Sequence, residues 1–195
     1  VAAVHVDSFA HRRIGRNAAF ASVCTGLRLH GRERAGDLYA ALAWARQQSW
    51  ADRERFAAIG WSHGGWTIMD ALALRAGPAM ARATGLSDLP AEPLQGLRRT
   101  LLVYPYANVG SYAGRRAWRF NPQSTVIVAG RDYVVGPTRG ALERQRGRGT
   151  PLEIVVFEHA THAFEDVGVK DPRVRYDAAA TTREHEMLRA MLAGL

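Results

Sequence analysis

Apolar residues along this chain fall into two alternating kinds of segment. Short, nearly continuous apolar runs at Val1–Val6, Phe56–Trp61, Thr100–Tyr104, Thr125–Ala129 and Glu153–Phe157 read as β-strands. They are rich in β-branched and aliphatic residues, the pattern of parallel strands covered on both faces. Between them lie segments with helical spacing. Glu33–Gln48 carries Leu38, Leu42 and Ala45 on one face. His63–Arg75 is apolar almost all round, which predicts a buried helix, stopped by Gly77-Pro78. Thr138–Arg146 predicts a short amphipathic helix, and Ala178–Leu192 a closing one with Met187, Leu188 and Met191 on one side. Leu86–Gly96 and Ala107–Gln123 read as loops or short irregular helices. Strand alternating with helix implies one α/β domain over residues 1–195, with a mostly parallel sheet, helices on both faces and right-handed crossovers.

Composition narrows the function classes. No apolar run approaches the roughly 18 residues of a membrane span, so no membrane partner is expected. The net charge is +8, and every basic residue except Lys170 is Arg. These arginines are scattered, and the densest stretch, Arg139 to Arg148, holds no aromatic residue for base stacking. A solvated basic surface is therefore expected rather than a nucleic-acid site. The lone Cys24 allows neither an intrachain disulfide nor a thiolate zinc cluster, and nothing beside it in the sequence marks an activated thiolate.

The chemistry concentrates at three strand ends. Gly60-Trp61-Ser62-His63-Gly64 fits G-x-S-x-G and sits between a strand and a buried helix. That turn is tight, so Gly60 and Gly64 are expected to be required there, and Ser62 is pushed out at the carboxyl edge of the sheet as a nucleophile. The backbone N–H of His63, at the helix start, is placed to hold an oxyanion. The base and acid of such a serine follow it in the chain, acid first. Asp132, after the Thr125–Ala129 strand and Gly130, is the expected acid, with Asp166 and Asp171 as rivals that come too late in the chain. The loop after Glu153–Phe157 offers His159 and His162 as the base; His162 is preferred because it lies further into the loop. Phe164 after it and Trp61 beside the nucleophile are expected to contact substrate. The His-x-x-His spacing lacks a third ligand, so no metal or other cofactor is expected.

With these residues in view, the sequence resembles the dienelactone hydrolase family of α/β-hydrolases. The likeness is carried by Val6-Asp7-Ser8-Phe9, Ile59-Gly60-Trp61-Ser62-His63-Gly64-Gly65, Tyr104-Pro105-Tyr106, Ala129-Gly130-Arg131-Asp132 and His159-Ala160-Thr161-His162-Ala163-Phe164. The resemblance implies an α/β-hydrolase fold, triad roles for Ser62, Asp132 and His162, a small ester or lactone as substrate, and Arg12 in a pocket-lining loop. The named enzyme of that family uses Cys where this chain has Ser62, which favours ordinary ester hydrolysis. The fold's first three strands have no counterpart here, so the chain reads as lacking the amino-terminal strands and one oxyanion donor. Val1–Val6 would then stand one empty strand position away from Phe56–Trp61, or else pair with it directly. Two rival readings are a peptidase of the same fold and a fragment that binds without turnover.

Overall fold

A computed structural model describes residues 1–195 except 16, 17, 20–22, 24–27 and 113. Cys24 lies outside the described residues. Among the described residues, four strands form a parallel sheet in sequential order: β1 (Phe56–Trp61), β2 (Leu97–Val103), β3 (Gln123–Ala129) and β4 (Leu152–Phe157). Among the described residues, five α-helices accompany them: α1 (Gly31–Ala45), α2 (His63–Ala73), α3 (Pro78–Thr84), α4 (Arg139–Gly147) and α5 (Ala178–Ala193).

The strands' apolar runs are split between two cores by the period-two pleat. Leu102, Val126 and Val128 face one way and pack with Tyr39 and Leu42 of α1, Met69 and Leu72 of α2, and Leu142 of α4. Leu101, Val103, Ile127 and Ala129 face the other way, against Ala180, Met187 and Met191 of α5. Both faces are covered, as the continuous apolar runs predict.

Local signals explain the element ends. The His30 N–H donates to Glu33 Oε2 (2.6 Å) in a capping box that starts α1. Asp177 accepts from Ala180 N at 3.0 Å and starts α5. The helix α2 ends at Ala73, with Leu74 already extended, before Gly77-Pro78 is reached; Pro78 instead opens α3, which the sequence reading missed, and Pro at a first helical position lacks only an N–H that would have had no helical acceptor.

The Val1–Val6 expectation is corrected. These residues form no strand and are exposed, Val1 fully and Val4 at 46%. Neither the empty position beside β1 nor a direct ladder with it is formed. An apolar run becomes a buried strand only where a neighbour supplies ladder hydrogen bonds and a layer covers it, and among the described residues β1 pairs with β2 alone.

Candidate active site

Ser62 leaves β1 at φ 51° and ψ −116°, a conformation that costs an L-residue about 1–3 kcal/mol. Three hydrogen bonds hold it there. Its N–H donates to Val103 O (2.9 Å), which prolongs the β1–β2 ladder, and its carbonyl accepts from Trp66 N (3.1 Å) and Tyr106 N (3.3 Å). The glycine expectation is half right. A Cβ on Gly60 would lie 2.5 Å from the Gly64 carbonyl carbon, and one on Gly65 would lie 2.7 Å from Pro105 Cβ. A Cβ on Gly64 would meet nothing within 4 Å, so the required pair is Gly60 and Gly65, not Gly60 and Gly64. The turn is crowded where the helix start folds back over the strand and open on its outer side.

Ser62 Oγ is 2.9 Å from His162 Nε2, and His162 Nδ1 is 2.7 Å from Asp132 Oδ2. A carboxylate only accepts, so Nδ1 carries the proton and donates to Asp132, leaving Nε2 to accept from the Ser62 hydroxyl. Asp132 is fixed from behind: its Oδ1 accepts from Val134 N (2.9 Å) and Val135 N (3.0 Å). His162 is buried, and so is the side chain of Asp132. The rivals lie elsewhere in the network. His159 is exposed, Asp166 binds Gly168 N, and Asp171 binds Arg173.

The expected substrate contacts are placed differently. Arg12 is gripped by Asp37 of α1 through Nη1 (2.7 Å) and Nη2 (2.9 Å), and its Nη1 also donates to Ser8 O (2.7 Å). Those donors are engaged by the protein itself. Trp61 lies on the α5 side of the sheet and donates from Nε1 to Glu184 Oε1 at 3.1 Å. Phe164 is fully buried in the α5 core rather than walling a pocket, its ring against Phe157 and Tyr104. The apolar side chain after the histidine loop was captured by the sheet face, where burial is worth more.

Sequence reasoning missed several residues around the serine. Tyr104, at φ 36° just past β2, packs its ring on the His162 imidazole with centroids 4.6 Å apart. Pro105 after it marks where the chain leaves the sheet, yet nothing in the local sequence says which ring it meets. Arg34 Nη1 donates to His63 Nδ1 at 2.7 Å, which puts the His63 proton on Nε2. Burial first, and then the Arg34 charge, push the His63 imidazole down to about 3, so the residue beside the nucleophile stays neutral. Behind it, fully buried Asp70 accepts from Trp66 Nε1 (2.8 Å), Tyr112 N (2.8 Å) and Ser111 Oγ (3.3 Å). Burial raises its carboxyl to about 7.

A cavity of about 420 Å³ lined by Leu97, Arg98, Arg119 and Gln123 opens at the amino ends of β2 and β3, the edge of the sheet opposite Ser62. Among the described residues, no cluster of three or more His, Cys, Asp or Glu is placed to hold a metal ion. No described helix is long and apolar enough to cross a membrane.

The prolyl oligopeptidase family model matches residues 9–83, a span that holds Ser62 but neither Asp132 nor His162. Among curated proteins, none matches the sequence. The structure is similar to that of Thermogutta terrifontis esterase 2 phosphoramylated by tabun, with a TM-score of 0.64 and 18% identity over 87% of this chain and 67% of that one. The same esterase phosphorylated by paraoxon aligns at 0.62 with 20% identity, over 87% of this chain and 66% of that one. Its propionate-bound form, from the same planctomycete, aligns at 0.58 with 20% identity, over 87% and 68%. This chain thus spans about two thirds of the length of those esterase chains. A parallel sheet, a serine on the sharp turn between strand and helix, and these structural likenesses together give the conclusion that the chain has the α/β-hydrolase fold.

Proposed function

We propose that this chain is a serine hydrolase that cleaves a carboxylic ester or lactone through an acyl-enzyme, with Ser62 as nucleophile, His162 as base and Asp132 as its orienting acid. The observation that carries this reading is the unbroken hydrogen-bonded chain from Ser62 Oγ through the His162 ring to Asp132, at 2.9 and 2.7 Å. In the first step Ser62 Oγ bonds to the carbonyl carbon while its proton moves to His162 Nε2. Asp132 stabilises the imidazolium and keeps its own negative charge. The His63 N–H, first in α2 and so without an acceptor inside the helix, faces the carbonyl oxygen as its charge grows. Collapse expels the alcohol, which takes the proton from Nε2. Water then gives a proton to Nε2 and attacks the acyl carbon, and Ser62 recovers its hydrogen as the acid leaves.

The finer assignment, to dienelactone hydrolase-like esterases acting on small substrates, is supported by the motifs around Ser62, Asp132 and His162 and by the fold shared with a propionate-bound esterase. A peptidase is the second reading, favoured by the prolyl oligopeptidase model over residues 9–83. Steady-state hydrolysis of p-nitrophenyl acetate and butyrate, beside a peptidyl p-nitroanilide, tests the proposal. The ester turnover of the wild type should fall about 10⁴-fold or more in Ser62→Ala, with the fold intact by circular dichroism. Ester turnover that survives Ser62→Ala overturns the assignment, and preferential anilide cleavage selects the peptidase.

A further inference from the structure

Residues that touch the base from behind are unusually constrained. Tyr104 and Ala163, at φ 36° and 48°, are both in the left-handed region without being glycine, and one contacts His162 while the other follows it. Such backbone persists only where its surroundings over-determine it. Three contacts do so at Tyr104. Its N–H donates to Ile127 O (2.7 Å), its ring meets Phe164 at 83° and 5.4 Å, and it meets the His162 imidazole at 57° and 4.6 Å. Its hydroxyl then donates to Glu165 Oε1, in the loop that carries His162. The other oxygen of Glu165 is buried without a hydrogen-bond partner among the described residues. A carboxylate with so little solvation is costly to keep, and the Tyr104 hydroxyl is what compensates it. Core packing alone would be served by Phe at position 104 and an apolar residue at 165.

We propose that Tyr104 is the positioning residue for His162: its ring sets the plane of the imidazole, and its bond to Glu165 pins the loop so that Nε2 faces Ser62. This deepens the hydrolase reading and rests on it for the kinetic arm only. Asp132 holds Nδ1 and Ser62 meets Nε2, but neither bond stops the ring from tilting about the line that joins the two nitrogens. Tyr104 removes this freedom.

The test compares Tyr104→Leu, Tyr104→Phe and Glu165→Gln with the wild type, in kinetics and in crystal structures. Tyr104→Leu should lose about 10- to 100-fold in kcat with KM nearly unchanged, the cost of misplacing a reacting group by about 1 Å. Tyr104→Phe keeps the ring and the core, so it guards against misfolding; it and Glu165→Gln should show a smaller loss of kcat, again without change in KM. In the structure of Tyr104→Leu, His162 Nε2 should move beyond hydrogen-bond reach of Ser62 Oγ, about 3.5 Å or more. An unmoved imidazole overturns the proposal even if the wild type proves to hydrolyse nothing, and so separates its failure from that of the hydrolase reading. Unchanged kcat in Tyr104→Leu, or a loss confined to KM, overturns it too.

Discussion

At the level of single residues, Asp132 shows how few atoms decide the outcome. Its Oδ1 is held by two backbone N–H groups and its Oδ2 faces the His162 Nδ1 proton. In Asp132→Asn the amide oxygen must stay with the backbone donors, so the NH₂ meets Nδ1 and the ring proton shifts to Nε2. That nitrogen then cannot accept from Ser62. Turnover should fall about 10⁴-fold, measured as kcat, while the melting temperature stays close to that of the wild type; a loss under tenfold would contradict the tautomer argument. Two other buried groups pull stability in opposite directions with pH. His63 is held at about 3 in the fold against its ordinary 6.5, so its contribution is present above 6.5 and is lost as pH falls toward 3. Asp70 is raised to about 7 from 3.8, so its contribution is present below 3.8 and is lost as pH rises to 7. Urea unfolding across this range should show His63→Gln removing the loss of stability toward acid pH and Asp70→Asn removing the loss toward neutral pH. Parallel, pH-independent offsets would contradict both shifts. The trio of Ser62, Asp132 and His162 was legible in the sequence because each follows a strand end. Phe164 was misplaced because a side chain's partner depends on which face of the sheet it meets, and no local signal carries that.

At the level of elements, the turn at Ser62 is a packing problem with two tight positions. Gly60 and Gly65 each lack room for a Cβ, against Gly64 and Pro105 respectively, while Gly64 has open space. Gly60→Ala and Gly65→Ala should each destabilise the domain and depress turnover together, read by thermal melting and kcat. Gly64→Ala should leave both close to wild type, since Ala also favours the helix it enters; equal damage from all three substitutions would contradict this geometry. The strands β1 to β4 were legible to within three residues at each end because both faces of the sheet are covered and the apolar runs are unbroken. Helix α3 was not, because a Gly-Pro pair reads equally as a stop and as a start. Val1–Val6 has the composition of a core strand and none of the partners, so composition alone misassigned it.

Across the whole molecule, the parallel sheet brings three loops to one edge. Ser62 follows β1, Asp132 follows β3 and His162 follows β4, so strand order fixes their approach before any side chain is considered. Tyr104, after β2, comes to the same edge and packs against the His162 ring. The two cores hold this edge rigid from both faces, with α1, α2 and α4 on one side and α5 on the other. The most direct measurement of the central claim is covalent labelling by a fluorophosphonate, with the adduct located by peptide mass spectrometry. A single adduct on Ser62, absent in Ser62→Ala and strongly slowed in His162→Ala, is the result this account predicts. Failure of the folded protein to label, or an adduct at another residue that forms equally fast in Ser62→Ala, would contradict it.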